Sequence, residues 1–306
     1  MSRPSHPPDV SAARLQRSIN LPDRALSLFG NVFGFVAPVV VLAIIANLAS
    51  VVIADAEGSA FLSTSWNPAR GHFGVLPFLM GTVVTATVAM AIALPIGVLA
   101  AVYLAEVAAP KVARVGAVLL ELVAATPAVV VGLWGRSVLV PELNDLSRLV
   151  GSAPEGHGFG IVAASLVLAT MTIPTIATVS RAILRALPNE LREGPMALGA
   201  TQWETIRSVL LPSARRGLLA AAALGFGRAL GETIAVSMVI GGRPSLLPSW
   251  GAPSATVSSV LVDEVLDATH PNHIAALAAL ALVLLVFGAL TSAGARVLSR
   301  GDAVRA

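Results

Sequence analysis

Arg228 and Glu232 stand four residues apart inside an apolar run, residues 217–242, that holds no other charge. The local run is Gly225-Phe226-Gly227-Arg228-Ala229-Leu230-Gly231-Glu232-Thr233. An isolated charge at the centre of a bilayer costs roughly 2.5 to 3.5 kcal/mol on insertion scales, so both side chains are expected to face protein or water. On a continuous helix this spacing puts the two on one face, where they partly neutralise each other. Gly227 and Gly231 form a small-xxx-small pair that permits close approach of another helix. Two roles fit these residues. One is an ion pair that only fixes helix packing. The other is a pathway charge: Arg228 offers a fixed positive charge to a passing anion, and Glu232 holds it in place and moderates its affinity, since transport requires release.

Other chemistry is excluded or weakly supported. Cysteine is absent, which removes disulfides, zinc-thiolate sites and cysteine nucleophiles. Lysine occurs once, as Lys111, and is followed by Val112; a phosphate-cradling P-loop needs Lys followed by Ser or Thr after a glycine-rich turn, so this chain is not a P-loop ATPase. His270 and His273 lack acidic or further His ligands at metal spacing and read as a surface loop, so no metal site and no cofactor are expected. Glu121, the other acid within an apolar segment, lies near Arg114 and Lys111 and reads as a packing or interface residue. An intramembrane hydrolase would need Ser with His or Lys, or paired Asp, within the spans, and none is visible.

The elements that must position these residues are membrane helices. Of 306 residues 56% are hydrophobic and 12% charged, with mean hydropathy +0.82, whereas soluble chains carry about 25% charged residues. Apolar runs at residues 28–54, 76–104, 115–140, 159–180, 217–242 and 274–297 each approach or exceed the ~20 residues that cross ~30 Å of hydrocarbon. The expectation is an all-α polytopic membrane protein with six transmembrane helices, 1–27 being a cytoplasmic N-terminal segment and 28–54 an uncleaved first span. Cationic residues then gather on one side: Arg3, Arg14, Arg17 and Arg24, the pair Lys111 and Arg114, six arginines between Arg181 and Arg216, and Arg296, Arg300 and Arg305. The opposite loops hold Arg70, Arg148 and Arg243. The positive-inside rule therefore places both termini in the cytoplasm. Residues 55–75 and 141–158 are turn-rich outer loops, and 256–268 is a short helical pattern lying along the outer face or dipping into it.

The longest internal polar segment, residues 181–216, has helical apolar spacing broken by Pro188, Pro195, Gly199 and Pro212, which predicts two or three short helices with bends. Read from composition, it is either a basic amphipathic loop on anionic membrane lipid or a compact element that inserts into a partner's groove. It carries Glu193-Gly194-Pro195, then Gly199, then nine residues, then Val209-Leu210-Leu211-Pro212. This register resembles that of type I ABC importer permeases, whose loop reads Glu-Ala-Ala, three residues, Gly, nine residues, Ile-x-Leu-Pro. Gly194-Pro195 replaces Ala-Ala, at what reads as the start of the coupling helix, and Val209 replaces Ile. The resemblance implies a MetI-like fold with a permease domain over residues 73–300. It also implies a coupling loop at 181–216 in which Glu193, Gly199, Ala200, Leu211 and Pro212 serve docking on an ATPase subunit.

The run from Gly227 to Thr233, together with Phe73-Gly74-Val75-Leu76-Pro77-Phe78-Leu79-Met80-Gly81-Thr82 and Ala125-Thr126-Pro127-Ala128-Val129-Val130-Val131-Gly132-Leu133-Trp134-Gly135, is similar to the phosphate permeases of that class. Within this resemblance Arg228 and Glu232 match transport-associated charged positions. The implied assembly joins this non-enzymatic half-pathway to a PstA-like permease subunit, two PstB-like ATPase subunits and a PstS-like phosphate-binding protein, in the inner membrane and without nucleic acid. Arg136, where the family has an apolar residue, either snorkels to the outer surface or adds positive potential near the entrance. An ion-coupled secondary anion transporter is the competing class; it predicts paired broken helices in two repeats.

Overall fold

The computed structural model describes residues 38–53, 63–149, 157–246 and 251–300, with side chains up to Gly294. The chain divides into two units, Met1–Ser50 and Val51–Ala306. Helix α1 (Pro38–Ile53) is apolar and shorter than a full span; residues 28–37 and 54 of the expected first span lie outside the described residues, as do 1–27.

Four helices of the second unit are long and apolar enough to cross a membrane: α2 (Leu76–Val107), α5 (Ile161–Arg185), α7 (Gln202–Gly231) and α10 (Pro271–Arg300). A fifth crossing is formed if α3 (Pro110–Ala124) and α4 (Ala128–Leu149) count as one, although they meet at 88°. Residues 115–140, expected as one span, are therefore sharply bent, and helix continues into the expected loop after 140. The cause is Thr126-Pro127. Proline has no N–H and disfavours helical geometry in the residue before it. Thr126 closes α3 by hydrogen bonds to Leu122 O and Val123 O, and the Pro127 carbonyl opens α4 by accepting from Val130 N.

α5 is the hub, with two-thirds of its apolar stretch buried, and its most extensive partner is α2. Between apolar helices in lipid, association depends on close packing rather than on the hydrophobic effect. α2 supplies it with a stripe of small buried residues at helical spacing, Ala86, Ala89, Ala93, Gly97 and Ala101. A Cβ on Gly97 would lie 2.9 Å from Ile176 of α5. Ser165 of α5 donates a buried hydrogen bond to the Thr85 carbonyl of α2, an interhelical bond of a kind contributing about 0.6 kcal/mol in membranes.

At the end remote from residues 181–216, strands β1 (Trp66–Asn67) and β2 (His72–Phe73) pair as a small antiparallel hairpin. Two short helices fill the space above the long ones: α8 (Ile234–Ile240) and α9 (Val257–Glu264). Val257, Ser258, Ser259 and Val260 of α9 are buried, so this segment is inserted into the bundle rather than laid along its surface. Gly81 makes room for it, since a Cβ there would stand 2.0 Å from the Ala255 carbonyl. Between the long helices at the other end lies α6 (Glu190–Ala197).

Candidate functional site

The run around Arg228 is a broken helix. α7 ends at Gly231, Glu232 is extended (φ −71°, ψ 124°), and α8 starts at Ile234. Glycine is a weak helix former, and the freed backbone groups find other partners. The Glu232 carbonyl accepts from Ser258 Oγ at 2.9 Å, and Thr233 Oγ1 donates to Gly231 O at 3.1 Å. Ser258 is fixed in turn, because α9 begins with a reciprocal Thr256–Ser259 cap and its Val257 N–H donates to Thr82 Oγ1 at 2.9 Å.

Two expectations are not met here. Among the described residues no ion pair joins Arg228 and Glu232. Gly231 packs against no other part of this chain, since a Cβ there meets nothing within 4 Å. The close approaches belong to Gly225, against Ile176 of α5, and Gly227, 3.0 Å from Thr291 Oγ1 of α10. Arg228 is exposed on this chain and has no partner among the described residues, while Glu232 is half-buried. Counting 1.5 Å per residue from Arg216, Arg228 sits about 18 Å along α7, just past the middle of a ~30 Å hydrocarbon layer. Non-helical backbone at such depth is tolerated where it is buried in protein or lines a cavity.

The second constellation lies at the other end of α7. Glu193 is in the first turn of α6 and exposed. Gly194-Pro195 sits in the last turns of this helix, not at its start, which Asn189 precedes. Gly199 terminates the element: its φ of +93° is left-handed, its N–H donates to Met196 O, and the Ala200 N–H reaches back to Pro195 O, both at 3.0 Å. These two bonds form a Schellman stop, for which glycine is the favoured residue. Thr201 then caps α7 reciprocally with Glu204. The spacing from the motif's Glu to its Gly thus runs from the end of this short helix's first turn to its stop. Leu211-Pro212 marks a further feature. Leu211 N–H bonds Ile206 O, widening the turn Ile206–Leu210 by one residue, which relieves the clash a proline ring makes with the carbonyl four residues earlier. On the outer side of this loop Met196, Leu198 and Trp203 are exposed, Leu198 by 92%.

Residues 93–301 match the family described as binding-protein-dependent transport system inner membrane component. The chain belongs to that family. Its relatives include the phosphate transport system permease protein PstC of Xylella fastidiosa, 37% identical over 241 residues and covering 74% of each chain. PstC of Haemophilus influenzae is 36% identical over 261 residues, 79% of this chain and 83% of the relative. PstC 1 of Mycobacterium tuberculosis is 35% identical over 270 residues, 77% of this chain and 80% of the relative. A solved structure of the MetNI methionine ABC transporter in an inward-facing conformation superposes with a TM-score of 0.54 at 23% identity, covering 77% of this chain and 99% of that one. The expected type I importer permease fold is present.

In this inner membrane component the contacts of three further groups are not visible in the sequence. Arg192, beside Glu193, makes a forked bond to Glu106 at the end of α2, Nε to Oε2 at 3.0 Å and Nη2 to Oε1 at 2.9 Å. The Glu106 bond raises the guanidinium's already high pKa, so Arg192 stays charged. A lone acid just past an apolar span is the available signal. His273 is not a surface residue: it is buried, bonds Glu264 at 2.9 Å, and stacks with Phe73. Trp66 Nε1 donates to both oxygens of the same Glu264, at 2.9 and 3.0 Å. Arg136 lies in another widened turn with its guanidinium 6.0 Å from the Phe159 ring centroid. Among the described residues no cluster of three or more His, Asp or Glu could hold a metal ion.

Proposed function

We propose that this inner membrane component forms half of the pathway for ATP-driven uptake of inorganic phosphate. Its partners in this reading are a PstA-like permease subunit, two PstB-like ATPase subunits and a PstS-like binding protein. The observation that carries the reading is Arg228, a cation without a partner among the described residues, on the last turn before a helix break. A fixed guanidinium at such a break attracts an oxyanion, and discontinuous helices mark substrate sites in other transporters. The naming of its relatives as phosphate permeases supports phosphate as that anion. Glu232, half-buried and held by its own backbone bond to Ser258, keeps an acid within the same break and limits how tightly the anion is retained.

Glu193, Gly199, Ala200, Leu211 and Pro212 build the coupling loop, and Leu198 and Trp203 offer the apolar surface that enters the ATPase subunit. Residues 1–27 and the C-terminus lie in the cytoplasm with this loop, residues 28–54 form the first span, and 73–300 form the permease domain.

The test uses the complete complex in liposomes. Arg228→Gln is expected to lower ATP-dependent phosphate uptake about tenfold or more, equivalent to at least ~1.4 kcal/mol of transport barrier, while the subunits stay assembled. Wild-type flux in Arg228→Gln refutes the pathway role. Competition by sulfate, measured in the same liposomes, separates phosphate from other tetrahedral oxyanions.

A further inference from the structure

Arg192 of α6 is tied to two other helices at once. Besides the fork to Glu106 of α2, its Nη1 donates to Leu187 O at 2.9 Å and its Nη2 to Leu184 O at 2.7 Å. Leu184 is in the last turn of α5 and Leu187 two residues beyond it, an end of the helix where a cation is favoured. Gln202, at the start of α7, adds a side-chain bond to the Glu106 backbone carbonyl. The Glu106 side chain is only 7% exposed, and burying a carboxylate is tolerable only with such pairing.

The position of Glu106 is itself built. In a regular α-helix it would stand about 140° from Ala101, off the small-residue stripe that meets α5. Residues Tyr103–Val107 form a widened turn closed by Ala108 N–H to Tyr103 O at 2.8 Å. The extra residue delays the helical phase and swings Glu106 back toward α5 and α6.

We propose that Arg192 is the positioning residue through which the coupling helix moves the transmembrane pair α2 and α5 as one body, so that this clamp sets how much substrate crosses per ATP hydrolysed. The proposal rests on the transport reading given above. Because α2 and α5 pack along their whole small-residue stripe, a displacement of α6 passed through Arg192 carries both helices rather than fraying one end. Without the clamp the loop still presents Leu198 and Trp203 for docking, but the movement of α6 no longer reaches the membrane.

The experiment measures phosphate taken up per ATP hydrolysed, together with retention of the ATPase subunit, for the complete complex in liposomes. Arg192→Gln and Glu106→Gln are each expected to keep the ATPase subunit within about twofold and to lower phosphate per ATP about fivefold or more. Arg192→Lys, which keeps the charge and loses the fork, is expected to fall between. If Arg192→Gln does not assemble, Glu106→Gln, which leaves the bonds to α5 in place, decides alone. An unchanged phosphate-to-ATP ratio, or uptake and hydrolysis falling in proportion as the ATPase subunit is lost, overturns the proposal in favour of simple anchoring. Wild-type liposomes that take up no phosphate with ATP refute the transport reading and this proposal with it. Coupled wild type beside equally coupled variants refutes the clamp alone.

Discussion

Trp66 and Glu264 are 198 residues apart in sequence and meet through both carboxylate oxygens. The Trp66 indole also sits edge-on to Phe73 and Phe78, at centroid separations of 5.6 and 4.9 Å, with His273 completing the cluster. Trp66→Phe retains most of this ring packing and removes the donor. The Glu264 carboxylate then keeps only its bond to His273 in a partly buried site, a change that costs about 1 to 3 kcal/mol. The expected result is a lower Tm of the purified protein in detergent; an unshifted Tm shows that water replaces the indole N–H without cost. Individual residues are unevenly legible in the sequence. Arg228 and Glu232 stand out because charge in an apolar run is expensive wherever it lies. That they form no ion pair does not follow from their spacing, and neither does the break after them, where Ser258, 26 residues away, captures the Glu232 carbonyl. His273 reads as a surface residue for the same kind of reason: nothing local to it indicates that Glu264, Trp66 and Phe73 converge there.

Helices are legible where their causes are local. The small stripe of α2, the proline that bends α3 against α4 and the glycine that stops α6 are all visible as letters, yet only the last acquires its meaning from spacing alone. Gly199 is surrounded by open space, with nothing within 4 Å of where a Cβ would stand, so its requirement is conformational and not steric. A left-handed residue other than Gly or Asn costs about 1 to 2 kcal/mol. Gly199→Ala is therefore expected to loosen the end of the coupling helix and reduce recovery of the ATPase subunit with the purified complex several-fold, while Gly199→Asn, which tolerates that conformation better, has a smaller effect. Equal recovery for wild type and Gly199→Ala means that the stop is held by its neighbours. The widened turns at 103–107, 135–139 and 206–210 are not legible as a class. Only the third has a local signature, Pro212; the first places Glu106, whose partner Arg192 is 86 residues distant.

On the scale of the molecule, the chain leaves much apolar surface uncovered. Val115, Val118, Leu119 and Leu122 on α3, and Val129, Val130 and Leu133 on α4, are all about half exposed or more. Contiguous faces of this extent are not sustained in water, and an inner membrane component meets lipid or other protein there. Orientation in the membrane is the remaining whole-molecule property, and the orientation proposed above rests on charge. The cationic residues cluster at the end that carries α6 and the start of α3, whereas Arg70 lies in the hairpin at the far end. The absence of cysteine makes this directly measurable, since any label on the chain reports only an introduced site. Arg70→Cys and Lys111→Cys both replace exposed residues. With a membrane-impermeant maleimide applied to spheroplasts, Arg70→Cys is expected to label at once and Lys111→Cys only after the membrane is permeabilised. The reverse pattern inverts the chain and takes the coupling loop away from any cytoplasmic ATPase, so this single measurement bears on the pathway, the loop and the clamp together.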